Sequence, residues 1–272
     1  MQTILQFLKS LKEKPERSGH SPLLFVGHGN PMNAIEDNHF RRTWEKIGKE
    51  IPQPEAILVI SAHWQTRGSW VTAMENPRTI HDFYGFPQEL YEQKYPSPGN
   101  PELASMISGM MPDKKIGLNS DWGLDHGTWS VLKPMFPKAD IPVVQLSLDA
   151  EQPPEYHFML AKNLEYLRKS GVMIIGSGNI VHNLSLMKFS PEAYDWAIEF
   201  DDKVKSLIDL RDYQPLIDYD KLGEAARLSI PTNEHYLPLL YSLALVGKKD
   251  EIQYFNEVAT MGSVSMRSFI AG

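Results

Sequence analysis

The chain has 272 residues, 42% hydrophobic and 22% charged, with 27 Lys and Arg against 34 Asp and Glu for a net charge of -7. That balance fits one soluble globular domain, leaves no run of about eighteen apolar residues to span a bilayer, and argues against nucleic acid as a partner. Cysteine is absent, so disulfides and thiolate chemistry are excluded, and any metal must be held by nitrogen and oxygen.

Residues 1–20 carry Ile4, Leu5, Phe7, Leu8 and Leu11 at helical spacing. They lack a continuous apolar core or a small-residue cleavage site, so the expectation is an N-terminal helical extension on the surface, ahead of a domain over 21–272 in a cytoplasmic protein. Four apolar runs then read as buried strands: PLLFVG at 22–27, AILVISA at 56–62, PVVQLSL at 142–148 and VMIIGSG at 172–178. Helical patterns lie between them, at 39–51 and at 155–171, where Gly171 supplies a C-terminal cap. Residues 76–99 hold four of the 20 prolines and several aromatics, which predicts an ordered loop walling a site. From 191 to 246 the pattern is mostly helical, and 252–270 returns to alternation. The fold expected is a single α/β domain with a central, largely parallel sheet flanked by helices.

Histidines fall where the strands run out. His28 follows the first run, His63 the second and His182 the fourth, at the sheet edge where open α/β folds bind ligands. A strand-end histidine can be a hydrogen-bonded core residue, but three such placements point to a shared purpose, and neutral imidazole is a common ligand for Zn, Fe, Cu and Ni. Glycines on both sides of His28 are expected to let a metal and its other ligands approach the backbone. His126, in a Gly-rich turn before a helix, and His235, at a helix start, join these candidates. His39 and His157 lie within helical patterns, and His20 and His81 carry weaker signals. No H-E-x-x-H, cupin-type pair or G-x-S-x-G occurs, and the third glycine of a dinucleotide loop is Met32 in one fragment and Val181 in the other.

The segments VGHGNPMN, VISAHW, DHGTWSVL, GSGNIVHNL and PTNEHYLPLL, in this order, resemble the class III extradiol ring-cleavage dioxygenases, and most closely their DOPA 4,5-dioxygenase branch, over residues 21–268. The resemblance makes 21–272 a catalytic domain and implies a non-haem Fe(II) enzyme that opens a small-molecule catechol with O2. It implies His28 and His63 as metal ligands, His182 as the acid/base group and His126 as a second active-site histidine. Where much of the superfamily uses a glutamate as third ligand, this branch offers a histidine, here His235 beside Glu234. His182 can also serve as a fourth ligand in a resting state. An all-imidazole site suits Zn(II) as well, so Fe(II) is the metal expected for activity and zinc is an alternative occupant of the isolated protein.

Phe83, Tyr84 and Trp122 are stacking candidates or packing anchors, and Arg67, Arg78 and Lys133 are alternatives for a substrate carboxylate. Two rival readings use the same histidines. A zinc hydrolase would activate water at an open position, and a non-catalytic metal-binding protein would need no acid/base pair.

Overall fold

The computed structural model describes residues 3–13, 20–110 and 116–272, with side chains left out for 10–13. Ten strands lie among them: Leu23–Gly27 (β1), Ala56–Thr66 (β2), Trp70–Thr72 (β3), Gly117–Asn119 (β4), Val143–Asp149 (β5), Val172–Gly178 (β6), Ile252–Phe255 (β7), Ala259–Thr260 (β8), Val264–Ser265 (β9) and Ser268–Ala271 (β10). Eight form one sheet in the order β4-β3-β5-β2-β6-β1-β10-β7, and β8 pairs with β9. The central β5, β2, β6 and β1 run parallel, whereas β10 and β7 close one edge antiparallel.

The central strands are mostly apolar because both sheet faces are covered. Along β1 and β2, Leu23, Phe25, Leu58 and Ile60 enter the core on one face, and Leu24, Val26, Ile57 and Val59 enter the core on the other. The first face is covered by helices including Pro154–Lys162, Asp195–Asp209 and Leu237–Leu245. The second is covered by Ile4–Glu13, His39–Glu50 and His126–Met135, so the domain is a three-layer α/β sandwich.

Three local expectations change. The N-terminal helix is not merely superficial: Phe7 and Leu8 are buried in the second core, while Leu11 lies outside the described side chains. The helix expected over 155–171 breaks into Pro154–Lys162 and Glu165–Lys169, because the Asn163 and Leu164 amides bond to carbonyls three residues back and tighten the turn. Gly171 still follows that second helix, with φ of 81°. Finally, β2 runs through His63 to Thr66 instead of stopping at Ala62. Its pairing with β6 ends at Ser61, and its register with β5 shifts between Ile60 and Gln65, so His63 lies beyond the central pairing although still in a strand.

Candidate active site

At the carboxyl edge of the parallel strands five histidines converge. His28 is the residue after β1, and its ring centroid lies 5.0 Å from that of His63, 5.7 Å from His126 and 5.3 Å from His235. His63 and His126 are 3.8 Å apart, and His182 stacks on His235 at 3.5 Å with an interplanar angle of 11°. His28 Nε2 and His63 Nε2 are separated by 3.1 Å. His126 opens the helix His126–Met135, whose N-cap Asp125 accepts from the Thr128 amide. His235 arrives from the turn ahead of Leu237–Leu245; its carbonyl accepts from the Asn179 amide at 2.8 Å, so close to Gly178 that a Cβ there would collide with it.

The Nδ1 partners determine which nitrogen faces inward. Ser177 Oγ donates its one proton to the Gly127 carbonyl at 2.5 Å, so its 3.0 Å contact with His28 Nδ1 is donated by the imidazole, and His28 Nε2 carries a lone pair. Likewise Glu234 Oε1, 2.9 Å from His235 Nδ1, leaves the Nε2 of His235 bare. Burial, reinforced by the neighbouring imidazoles, pushes His28 and His235 well below the usual histidine range. Burial likewise lowers His182 to about 4, against the opposing pull of Glu234. His28 and His235 are therefore neutral imidazoles with inward lone pairs, donors that fit a transition metal. His28, His63 and His126 bring ligand atoms within 4.8 Å of one another, as do His182, Glu234 and His235.

The family model for the catalytic LigB subunit of aromatic ring-opening dioxygenase matches residues 17–266. The chain belongs to this family. It is 46% identical over 261 residues to a 4,5-DOPA dioxygenase extradiol of Escherichia coli K12, covering 94% of this chain and 96% of that protein. A protein of the same name from Beta vulgaris is 35% identical, covering 90% and 94% of the two chains. A crystal structure of an uncharacterized protein from Escherichia coli K12 superposes with a TM-score of 0.81 at 42% identity, over 93% of this chain and all of that one. The ring-opening class is thereby established: the protein is an extradiol catechol-cleaving dioxygenase, with a histidine-rich site for the catalytic metal that the family implies.

In this LigB dioxygenase the sheet edge and the loops brought together the histidines singled out in the sequence, and added residues that were not. Asp82, from the aromatic loop, places Oδ2 3.2 Å from His63 Nδ1 and 3.1 Å from His126 Nδ1, while Oδ1 accepts from the His126 amide at 2.9 Å. These ring contacts have ion-pair spacing, and His126 Nδ1 is off the line of a full hydrogen bond. Burial alone would raise the Asp82 carboxyl, but the two imidazoles outweigh it and hold Asp82 below the usual carboxylate range. Deeper, Asp125 accepts from Ser61 Oγ at 2.7 Å and from Gln145 Nε2 at 2.7 Å, tying β2 and β5 to the start of the His126 helix. Ser177 and Gln145 gave no signal in the sequence, since an isolated polar residue in an apolar run resembles any other, and Asp125 in its turn reads as an ordinary helix cap.

Several expectations need correction or placement. The glycines beside His28 do not open space for a metal: a Cβ on Gly27 would strike the Met266 backbone at 2.9 Å, and Gly29 has φ of 57° with Met266 Sδ against it. They admit the chain between β9 and β10 and allow the turn after His28. Phe83 is buried, edge-on to the His126 ring at 5.6 Å, whereas Tyr84 is 93% exposed. Trp122 stacks on Trp64 at 5.7 Å. Arg67 pairs with Glu151, Arg78 Nε donates to the Trp122 carbonyl, and Lys133 Nζ donates to the Lys94 carbonyl. Lys133 also lines a cleft of about 600 Å³ with Arg41 and Lys49, at the end of its helix remote from His126. His157 is a core residue, its Nδ1 3.0 Å from Tyr241 Oη, and His81 Nε2 lies 3.0 Å from the Gln93 carbonyl. No helix among the described residues is long and apolar enough to cross a membrane.

Proposed function

We propose that this dioxygenase opens the ring of a DOPA-like catechol, with Fe(II) held by His28, His63 and His235 and with His182 and His126 handling protons. The observation that carries this reading is the pair of enforced Nε2 lone pairs on His28 and His235, facing inward at the sheet edge beside His63. DOPA as the substrate class rests on the names of the relatives from Escherichia coli and Beta vulgaris. Fe(II) at those nitrogens would supply Lewis acidity toward the two hydroxyl oxygens and an electron path between the ring and O2. Both oxygen atoms enter the product as the carbon–carbon bond beside the hydroxyls breaks, giving a muconate semialdehyde.

The protein's own work is binding and proton transfer. Burial keeps His182 neutral near pH 7, so its ring can take a proton from a catechol hydroxyl and return it later in turnover. His126, also lowered by burial, is the second proton site. Phe83 shields the His126 side of the cluster from water. His182 stacks on His235 with ligand atoms of the two close together, so it would also serve as a fourth ligand to the metal in a resting state. Without a carboxylate among these nitrogen donors, Zn(II) is the metal expected in isolated protein and Fe(II) the one that supports turnover.

The test is reconstitution of metal-free protein under anaerobic conditions with Fe(II) or Zn(II), followed by L-DOPA and then O2. Oxygen uptake matched one-for-one with a yellow semialdehyde, with Fe(II) alone, is the expected result. Uptake with simpler catechols but not with L-DOPA would move the substrate class, and no uptake with Fe(II) on any catechol would overturn the assignment.

A further inference from the structure

We propose that Asp82 is a positioning residue that sets the tautomers of His63 and His126 together, keeping both Nε2 atoms free of a proton. This rests on the reading of His63 as a metal ligand. One oxygen atom, Asp82 Oδ2, faces both Nδ1 atoms, at 3.2 Å and 3.1 Å. An ionised carboxylate only accepts, so an Nδ1 lone pair turned toward it would be repelled and an N–H would be attracted. A neutral imidazole has a single ring proton, and drawing it to Nδ1 bares Nε2.

For His63 the consequence is specific. Its Nε2 stands 3.1 Å from the Nε2 of His28, which Ser177 already keeps bare. Two lone pairs at that separation repel unless a cation lies between them, so Asp82 completes a donor pair that Ser177 only half prepares. His126 receives the same instruction from the same atom, and its ring packs 3.8 Å from that of His63. The carboxylate is held for this task. Ile80 N donates to the Leu124 carbonyl and Trp129 Nε1 to the Ile80 carbonyl, both at 2.8 Å, clamping the loop two residues before Asp82 onto the His126 helix.

A plain loop anchor would need only the Oδ1 bond to the His126 amide, and substitution separates the two roles. Asp82→Asn can keep that bond through Oδ1, but it replaces Oδ2 with an amide whose two protons point at the Nδ1 atoms and drive both rings to the Nε2–H tautomer. Asp82→Ala removes the acceptor without imposing a donor. Zn(II) affinity measured by chelator competition should therefore fall about tenfold in Asp82→Ala and about a hundredfold in Asp82→Asn, within the range for outer partners of metal-bound histidines. An anchor predicts the reverse order, since Asn preserves the anchor and Ala destroys it. Imidazole 15N spectra of metal-free protein should show His63 and His126 protonated at Nδ1 in the wild type and at Nε2 in Asp82→Asn. His63→Ala in the same competition separates the two ways of failing. If it binds Zn(II) like the wild type, His63 is no ligand and both assignments fall. If it loses Zn(II) while Asp82→Asn binds as tightly as the wild type, or no more weakly than Asp82→Ala, Asp82 alone loses its role. Should neither Asp82 variant fold, wild-type spectra still decide, because Nε2–H on either ring overturns the proposal.

Discussion

Around β1 and β2, His28, His63 and His126 each face a protein group through Nδ1, and His235 does so through Glu234. On the loop after β6, His182 has a stacked neighbour and a backbone amide bonded to the Ser229 carbonyl, while its ring nitrogens make no hydrogen bond among the described residues. A ligand benefits from losing its rotational and tautomeric freedom before the metal arrives. A group that must take up and release a proton needs an open ring nitrogen instead. One cluster of chemically identical side chains is thus divided by what stands behind each ring: His28, His63 and His235 are held fixed, His182 is free, and His126 faces Asp82 through Nδ1 with Nε2 left to take up its proton.

That division can be broken at its strongest point by removing a fixed member. His28→Ala or His63→Ala should purify without bound metal and without ring-opening activity, and metal analysis of the folded variants checks this; full occupancy would strike that histidine from the ligand set. Next in size is the free member: His182→Ala should keep its metal and lose turnover by roughly a hundredfold or more. Near-normal turnover would leave His182 no part in proton transfer.

A smaller effect is expected one step behind the ligands. Ser177→Ala removes the acceptor for His28 Nδ1 and the bond to the Gly127 carbonyl. Zn(II) should bind about tenfold more weakly, and the fold should lose on the order of 1 kcal/mol in denaturant titration. Unchanged affinity would show that His28 needs no such support.

The smallest effect on metal binding and turnover is expected from a residue outside the site. His157 is buried against Tyr241, and burial lowers it to about 4, against weaker opposing contacts from Asp149 and Gln152. The folded protein thus disfavours the charged ring, whereas the unfolded chain takes up a proton near 6.5. This contribution is complete above the unfolded value and is lost as pH falls from there toward 4, at up to about 1.4 kcal/mol per pH unit. Apo-protein carrying His157→Gln should lose less stability over that window in pH-dependent melts while retaining metal binding, and an unchanged pH slope would remove His157 as the source.

How much of this could be read beforehand depended on how local each signal was. The runs that became β1, β2, β5 and β6 were legible because a strand covered on both faces reads as a near-continuous apolar run. The short edge strands β3 and β4 were not, since three residues carry too little periodicity. Asp82 lies in a loop marked by its aromatics, yet nothing nearby identifies its carboxylate as the partner of rings 19 residues before it and 44 after it. The glycines at 27 and 29 do mark a close approach, but the approaching group is Met266, more than two hundred residues away.

By itself the sequence determined the layer architecture, the restriction of any metal ligand to nitrogen and oxygen in a chain without cysteine, and the placement of three of the histidines near or beyond the carboxyl ends of the central strands, because these follow from composition and from the periodicity of neighbouring residues. Only the tertiary structure decided which imidazoles meet, which nitrogen each turns inward and which ring is left free. Those properties depend on single oxygen atoms, of Ser177, Glu234 and Asp82, standing within about 3 Å of a ring, and folding alone brings atoms from distant parts of the chain to that distance.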